Sequence, residues 1–191
     1  MTDLTASCLR TANILSNITD DQLTALTPCE NYSVGDVLHH IGGLALAFAA
    51  AAQKDFGPLT STAPTPDGAQ LGDDWRTNYP DRLGELARAW KQPDAWQGMT
   101  RIAGMEMPGE VVGLIALTEV VIHGWDVARA TGQPYDVDTS TLDAVLPYVT
   151  AVAAEGPTEG LFGPAVPVAD DAPVLDRIVA LSGRDPAWPA H

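Results

Sequence analysis

Residues 109–131 read as one helix that is apolar around most of its circumference, with Leu114, Ile115, Leu117, Val121, Ile122 and Trp125 on its flanks. Pro108, at a first-turn position beside Glu110, opens it, and Gly132-Gln133-Pro134 stops it. A helix this apolar needs neighbours on several sides, which predicts a helical bundle. Further helical periodicity covers 3–16, 34–53, 74–91, 139–154 and 173–181, and no stretch alternates cleanly enough to anchor a large sheet. Ser33, three residues ahead of Asp36, resembles the start of the 34–53 helix. Thr19-Asp20-Asp21 can cap a brief helical turn, and 96–107 suits a small hairpin turning at Gly104. The segment 54–74, rich in Gly, Pro, Thr and Ser, is expected to be a long surface connection across one end of the bundle. The expected fold is therefore all-α: a four-helix bundle with a long crossover, extra C-terminal helices and one β-hairpin.

The chain's 191 residues suit a single domain spanning 1–191. With 46% apolar and 18% charged residues it can bury a sizeable core. Twenty-five acidic against ten basic residues give a formal charge of −15, a field that repels nucleic acid and anionic membrane surfaces alike. The longest purely apolar run, Ile41 to Ala52, is short of the roughly 20 residues a membrane span needs. The N-terminus lacks a basic cluster before an apolar core, so a cytoplasmic protein is expected. Cys8 and Cys29 are too few to staple a domain of this size and are read as inert thiols, Cys29 being followed by the acid Glu30.

Glu119 and His123 stand at i and i+4, one turn apart on a shared face. Val112, Ala116, Glu119, His123, Asp126 and Ala130 project into one stripe about 80° wide. A buried carboxylate beside a buried imidazole is costly without a partner, and a metal ion supplies one. The spacing alone fits a plain ion pair more often. On the 34–53 helix, Val34, Val37, Leu38, Ile41, Ala45 and Phe48 define the core face; His40 lies at its border and His39 projects toward solvent. His40, Glu119 and His123 would make a two-histidine, one-carboxylate set with an open position, suited to zinc and also to nickel or ferrous iron. Asp126 can orient a ligating imidazole or pair with Arg129 three residues on, and the Arg129 pair is the favoured reading. His191, at the terminus, is expected to be solvated.

The stretches LTPCENYSVGDVLHHIGG, ALTEVVIHGWDVARATGQP and LSGRDPAW resemble, in that order, signature segments of an actinobacterial metal-binding family related to mycothiol-dependent maleylpyruvate isomerase, within the DinB-like superfamily. Tyr32 stands where that pattern usually has Trp, and Gly35 where Arg is frequent. The resemblance implies a DinB-like bundle holding a divalent metal, usually zinc, on His40, Glu119 and His123. It also implies mycothiol or a similar small thiol as cosubstrate, activated by the metal for isomerisation or S-transfer to a small electrophile. Arg129 matches an arginine common in the motif, which would bind an anionic ligand or brace the helix end. The isomerase's additional C-terminal domain is not expected in this shorter chain. Pairing of bundle relatives through apolar faces makes a homodimer an open expectation. The alternative function is a non-catalytic metal-binding module, such as a zinc- or redox-sensing regulator.

Overall fold

The computed structural model describes residues 2–158 and 160–189. In chain order its elements are helices α1 (Thr5–Ser16), α2 (Val34–Ala52), the one-turn α3 (Pro58–Ser61) and α4 (Trp75–Trp90), strands β1 (Met99–Ile102) and β2 (Met105–Pro108), then helices α5 (Gly109–Ala130), α6 (Thr139–Ala154) and α7 (Val174–Leu181). The all-α expectation, hairpin included, agrees with this architecture. His191, the terminal histidine, lies outside the described residues.

Four helices form a closed ring in which α4 touches α1 and α2, and α5 touches α2 and α1. Side-chain contacts give their directions. Tyr79 lies over Gly42 and the Trp90 indole donates to the Phe48 carbonyl, so α2 and α4 run parallel. Thr11 reaches the Val120 carbonyl, and Gln133, just past the end of α5, donates to the Ile14 carbonyl, so α1 and α5 also run parallel. A parallel neighbour cannot be reached by a tight turn: the chain must travel back along a helix that rises about 1.5 Å per residue. That requirement explains the long connection between α2 and α4. It returns along α2 as a strap, with the Gly68 amide on Asp36 Oδ1 at 2.6 Å and the Thr65 carbonyl on His39 Nδ1 at 3.1 Å.

Local chemistry fixes the element ends. Ser33 Oγ accepts from the Asp36 amide at 3.2 Å, and Asp36 Oδ2 accepts from the Ser33 amide at 2.8 Å, a reciprocal cap that satisfies two donors at the start of α2. The hairpin turns through Ala103 and Gly104, both at positive φ, as a two-residue connection between right-twisted strands requires. The core contains fully buried Leu4, Leu15, Leu38, Leu83, Leu86, Trp90 and Leu117. By length and composition α2 and α5 could each cross a membrane, but most of each is buried inside the bundle. Helices α6 and α7 pack on each other, and α6 leans on α5, covering the side of the ring beside the end where α5 finishes and α2 begins.

Candidate metal centre

At that end of the bundle a cavity of about 760 Å³ opens between α2, α5 and four loop segments. Its walls are the 28–32 turn, the 63–66 part of the strap, and the C-terminal segments 157–158 with 160–164, and 182–184. Gly43 lets the strap close against α2, since a Cβ there would come within 2.7 Å of Pro64 Cβ. The end of α7 builds the opposite wall. The Arg184 amide bonds to the Val179 carbonyl and the Gly183 amide to that of Ala180, while Gly183 adopts φ +89. This is a Schellman cap, and only glycine fits it without strain. It turns the next side chain, Arg184, back into the cavity.

His40, Glu119 and His123 meet in the cavity, each offering a ligand atom, with all three atoms within 4.8 Å of one another. The His40 and His123 rings stand edge to face with centroids 5.1 Å apart. His123 Nε2 lies 3.1 Å from Glu119 Oε2, and its Nδ1 lies 3.0 Å from Asp126 Oδ2. Burial pulls the His123 imidazole toward neutrality, but its bonds to Asp126 and Glu119 outweigh this and raise it to about 9. His40 is pushed down to about 4 by burial and by the neighbouring His123 cation. Glu119 and Asp126, despite burial, are held below the usual carboxylate range, Glu119 chiefly by His123 and Asp126 chiefly by Arg184.

Sequence-based expectations fare unequally here. The helical projections chose the three residues that converge. His39, expected to face solvent, is half-buried because the strap folds over that face and bonds to it. Asp126, expected to pair with Arg129, is fully buried and pairs instead with His123 and Arg184, accepting from Arg184 Nε at 3.2 Å and Nη2 at 3.1 Å. Arg129 does not line the cavity; it donates to the Pro186 and Trp188 carbonyls and braces the C-terminal segment. Arg184 was not singled out from the sequence, although the Ser-Gly-Arg order after an apolar helix is the signal for a cap that redirects the chain. Cys29 is half-buried at the cavity wall, where its Sγ accepts from Arg184 Nη2 at 3.3 Å. Burial, and then Asp126, push this thiol up to about 12, and burial does the same to Cys8. Both are protonated and inert at neutral pH. Cys29, His123 and Asp126 form a second convergent donor set, but its carboxylate is already held by Arg184.

Residues 4–128 match the family described as the mycothiol maleylpyruvate isomerase N-terminal domain. The chain belongs to this family. Uncharacterised proteins from two strains of Mycobacterium tuberculosis, CDC 1551 / Oshkosh and ATCC 25618 / H37Rv, are each 29% identical over 180 residues, covering 91% of both chains. The crystal structure of the mycothiol-dependent maleylpyruvate isomerase superposes with a TM-score of 0.68 at 18% identity, covering 95% of this chain and 86% of that one. A histidine-to-alanine mutant of that enzyme superposes at 0.69 with the same identity and coverage. At this identity the superpositions establish a shared fold. A match over 95% of the chain extends past residue 128, so the shared fold includes C-terminal elements beyond the family match.

Proposed function

We propose that this member of the mycothiol maleylpyruvate isomerase N-terminal domain family is a metal-dependent enzyme. In this reading it activates a small thiol of the mycothiol type and transfers it to, or uses it to isomerise, a small electrophile. The carrying observation is the convergence of His40, Glu119 and His123 at an open cavity, in a family named for a thiol-dependent isomerase. The donor set fits a divalent ion, with zinc preferred and nickel or ferrous iron compatible. His40 offers one ring nitrogen to this donor set, and the Pro64 backbone is the neighbour that can hold the ring. When bound, the cation supplies charge that stabilises a thiolate near neutral pH.

The chain's own residues prepare the site. Asp126 accepts from His123 Nδ1, so that an ion displacing the Nε2 proton would meet that lone pair at the cavity. Arg184 neutralises Asp126, so the carboxylate holds the imidazole without taking its proton. His40, kept neutral by burial, needs no deprotonation to act as a ligand. Glu119 contributes a negative charge, and the proton lost by the incoming thiol leaves through the open side of the cavity. Arg129, as a brace for the C-terminal segment, keeps the wall that holds Arg184 in place. We take residues 1–191 as one domain working in the cytoplasm, where small thiols remain reduced.

The test is twofold. Elemental analysis of protein purified without a histidine tag should find one divalent metal per chain, lost in His123→Ala. Metal-loaded protein should accelerate conjugation of mycothiol with monochlorobimane, and His40→Ala should abolish the acceleration. If native and substituted proteins react alike and calorimetry detects no thiol binding, the chain is a non-catalytic metal-binding module.

A further inference from the structure

All ten Lys and Arg residues lie among the described residues, and Arg184 is the only one that lines the cavity. It is 6% exposed, and its guanidinium is engaged by Asp126, the Cys29 sulfur and the Ser182 carbonyl. Asp126, bound through both carboxylate oxygens, cancels its charge. Arg129, the other arginine near this end, is turned away to the C-terminal carbonyls. Among the described residues, the carboxylates on the wall are Glu119 at the metal site and the exposed Glu30. The remaining surface is uncharged and mixed, with Pro28, Tyr32, Pro64 and Phe162 beside the polar Asn31 and Thr65.

We propose that the electrophile accepted by this cavity is an uncharged molecule, and that dicarboxylates such as maleylpyruvate are discriminated against. The inference rests on the thiol-transfer reading and adds the substrate class. A divalent ion would be balanced by Glu119 and a bound thiolate, and Arg184 by Asp126, so no net positive charge remains to receive a carboxylate. An anion would also pass Glu30 while entering a molecule of formal charge −15. Like charges at close range in a partly desolvated cleft repel strongly, and a carboxylate stripped of water without a partner is costly. A neutral, polarised carbon meets neither penalty and gains from the Pro and aromatic walls.

Two aryl chlorides that differ chiefly in charge make the test: neutral chlorodinitrobenzene and anionic chlorodinitrobenzoate. In each, the thiol sulfur bonds to the chlorine-bearing ring carbon, chloride leaves with the electron pair of the C–Cl bond, and the thiol proton passes to solvent. With mycothiol and zinc-loaded protein at neutral pH, the enhancement over the uncatalysed rate should be at least about tenfold greater for the neutral chloride. Glu30→Lys, which reverses the charge at the mouth, should raise the enhancement for the benzoate by about threefold or more. Equal enhancement, or preference for the benzoate, overturns the inference while leaving thiol transfer intact. Enhancement of neither chloride overturns thiol transfer, and binding then decides the cavity's preference independently. In calorimetric titrations of metal-free protein with unreactive dinitrobenzamide and dinitrobenzoate, tighter binding of the amide supports the inference. A benzoate that binds equally or more tightly, or failure of both to bind, overturns it.

Discussion

His123 carries the site because both ring nitrogens have assigned work: Nε2 faces Glu119 and the cavity, and Nδ1 is held by Asp126. Asp126→Asn keeps the shape but removes the charge that holds the imidazole, and it leaves the buried Arg184 without its counter-ion. Loss of such an outer partner typically costs about 10–100-fold in metal affinity. Competition titration against a chromogenic chelator should find zinc binding weakened within that range, and unchanged affinity would remove Asp126 from the site. The reach of sequence reasoning at this scale follows from distance along the chain. Glu119 and His123 share a helix face, and a projection found His40, because both are local properties. The partner of Asp126 was not legible, because Arg184 lies 58 positions away and is aimed by a cap at the end of α7. Arg129, three residues on, was the nearer cation but serves another segment.

Helix limits were readable to within a residue or two, since capping residues and terminators act where they stand: Ser33 with Asp36 for α2, and Pro108 ahead of α5. The path of the strap between α2 and α4 was not, because its anchors, Asp36 to Gly68 and His39 to Thr65, pair residues far apart in sequence. The seat of α5 is similarly invisible in the sequence. Gly113 lies where a Cβ would come within 2.7 Å of ring atoms of both Trp90 and Trp96, which stand edge to face at 5.1 Å. Each indole is tethered by a hydrogen bond, Trp90 to the Phe48 carbonyl and Trp96 to the Trp90 carbonyl, so neither yields freely. Gly113→Ala gains up to about 1 kcal/mol of helix propensity but overpacks two rings at a cost of about 1–3 kcal/mol. Thermal unfolding should show a lower midpoint, by a few degrees. A raised midpoint would mean that the rings can move apart.

For the molecule as a whole, metal binding and proton binding compete at one imidazole, which makes global stability a reporter of the site. In the metal-free protein His123 is raised to about 9, above its unfolded value near 6.5. Its stabilising contribution is therefore fully present below about pH 6.5 and is lost as pH rises through about 9. Glu119 and Asp126, lowered by their cationic partners, contribute in the opposite sense: their share is present above the unfolded carboxylate values and disappears only as pH falls into the acid range. His40, held near 4, is neutral throughout the alkaline window and does not alter the slope there. Metal-free protein should thus lose thermal stability between about pH 6.5 and 9 through His123. A bound ion replaces the Nε2 proton, so metal affinity should rise across the same window. At free zinc about 100 times the dissociation constant, binding adds about 2.7 kcal/mol, or roughly 5–10 °C for a chain of this size. Calorimetric scans with and without zinc should therefore diverge as pH rises from 6.5 to 9, and the divergence should vanish in His123→Ala. A zinc-induced shift that is constant across that window would mean that the ion binds without displacing the His123 proton, and the ligand assignment would fall.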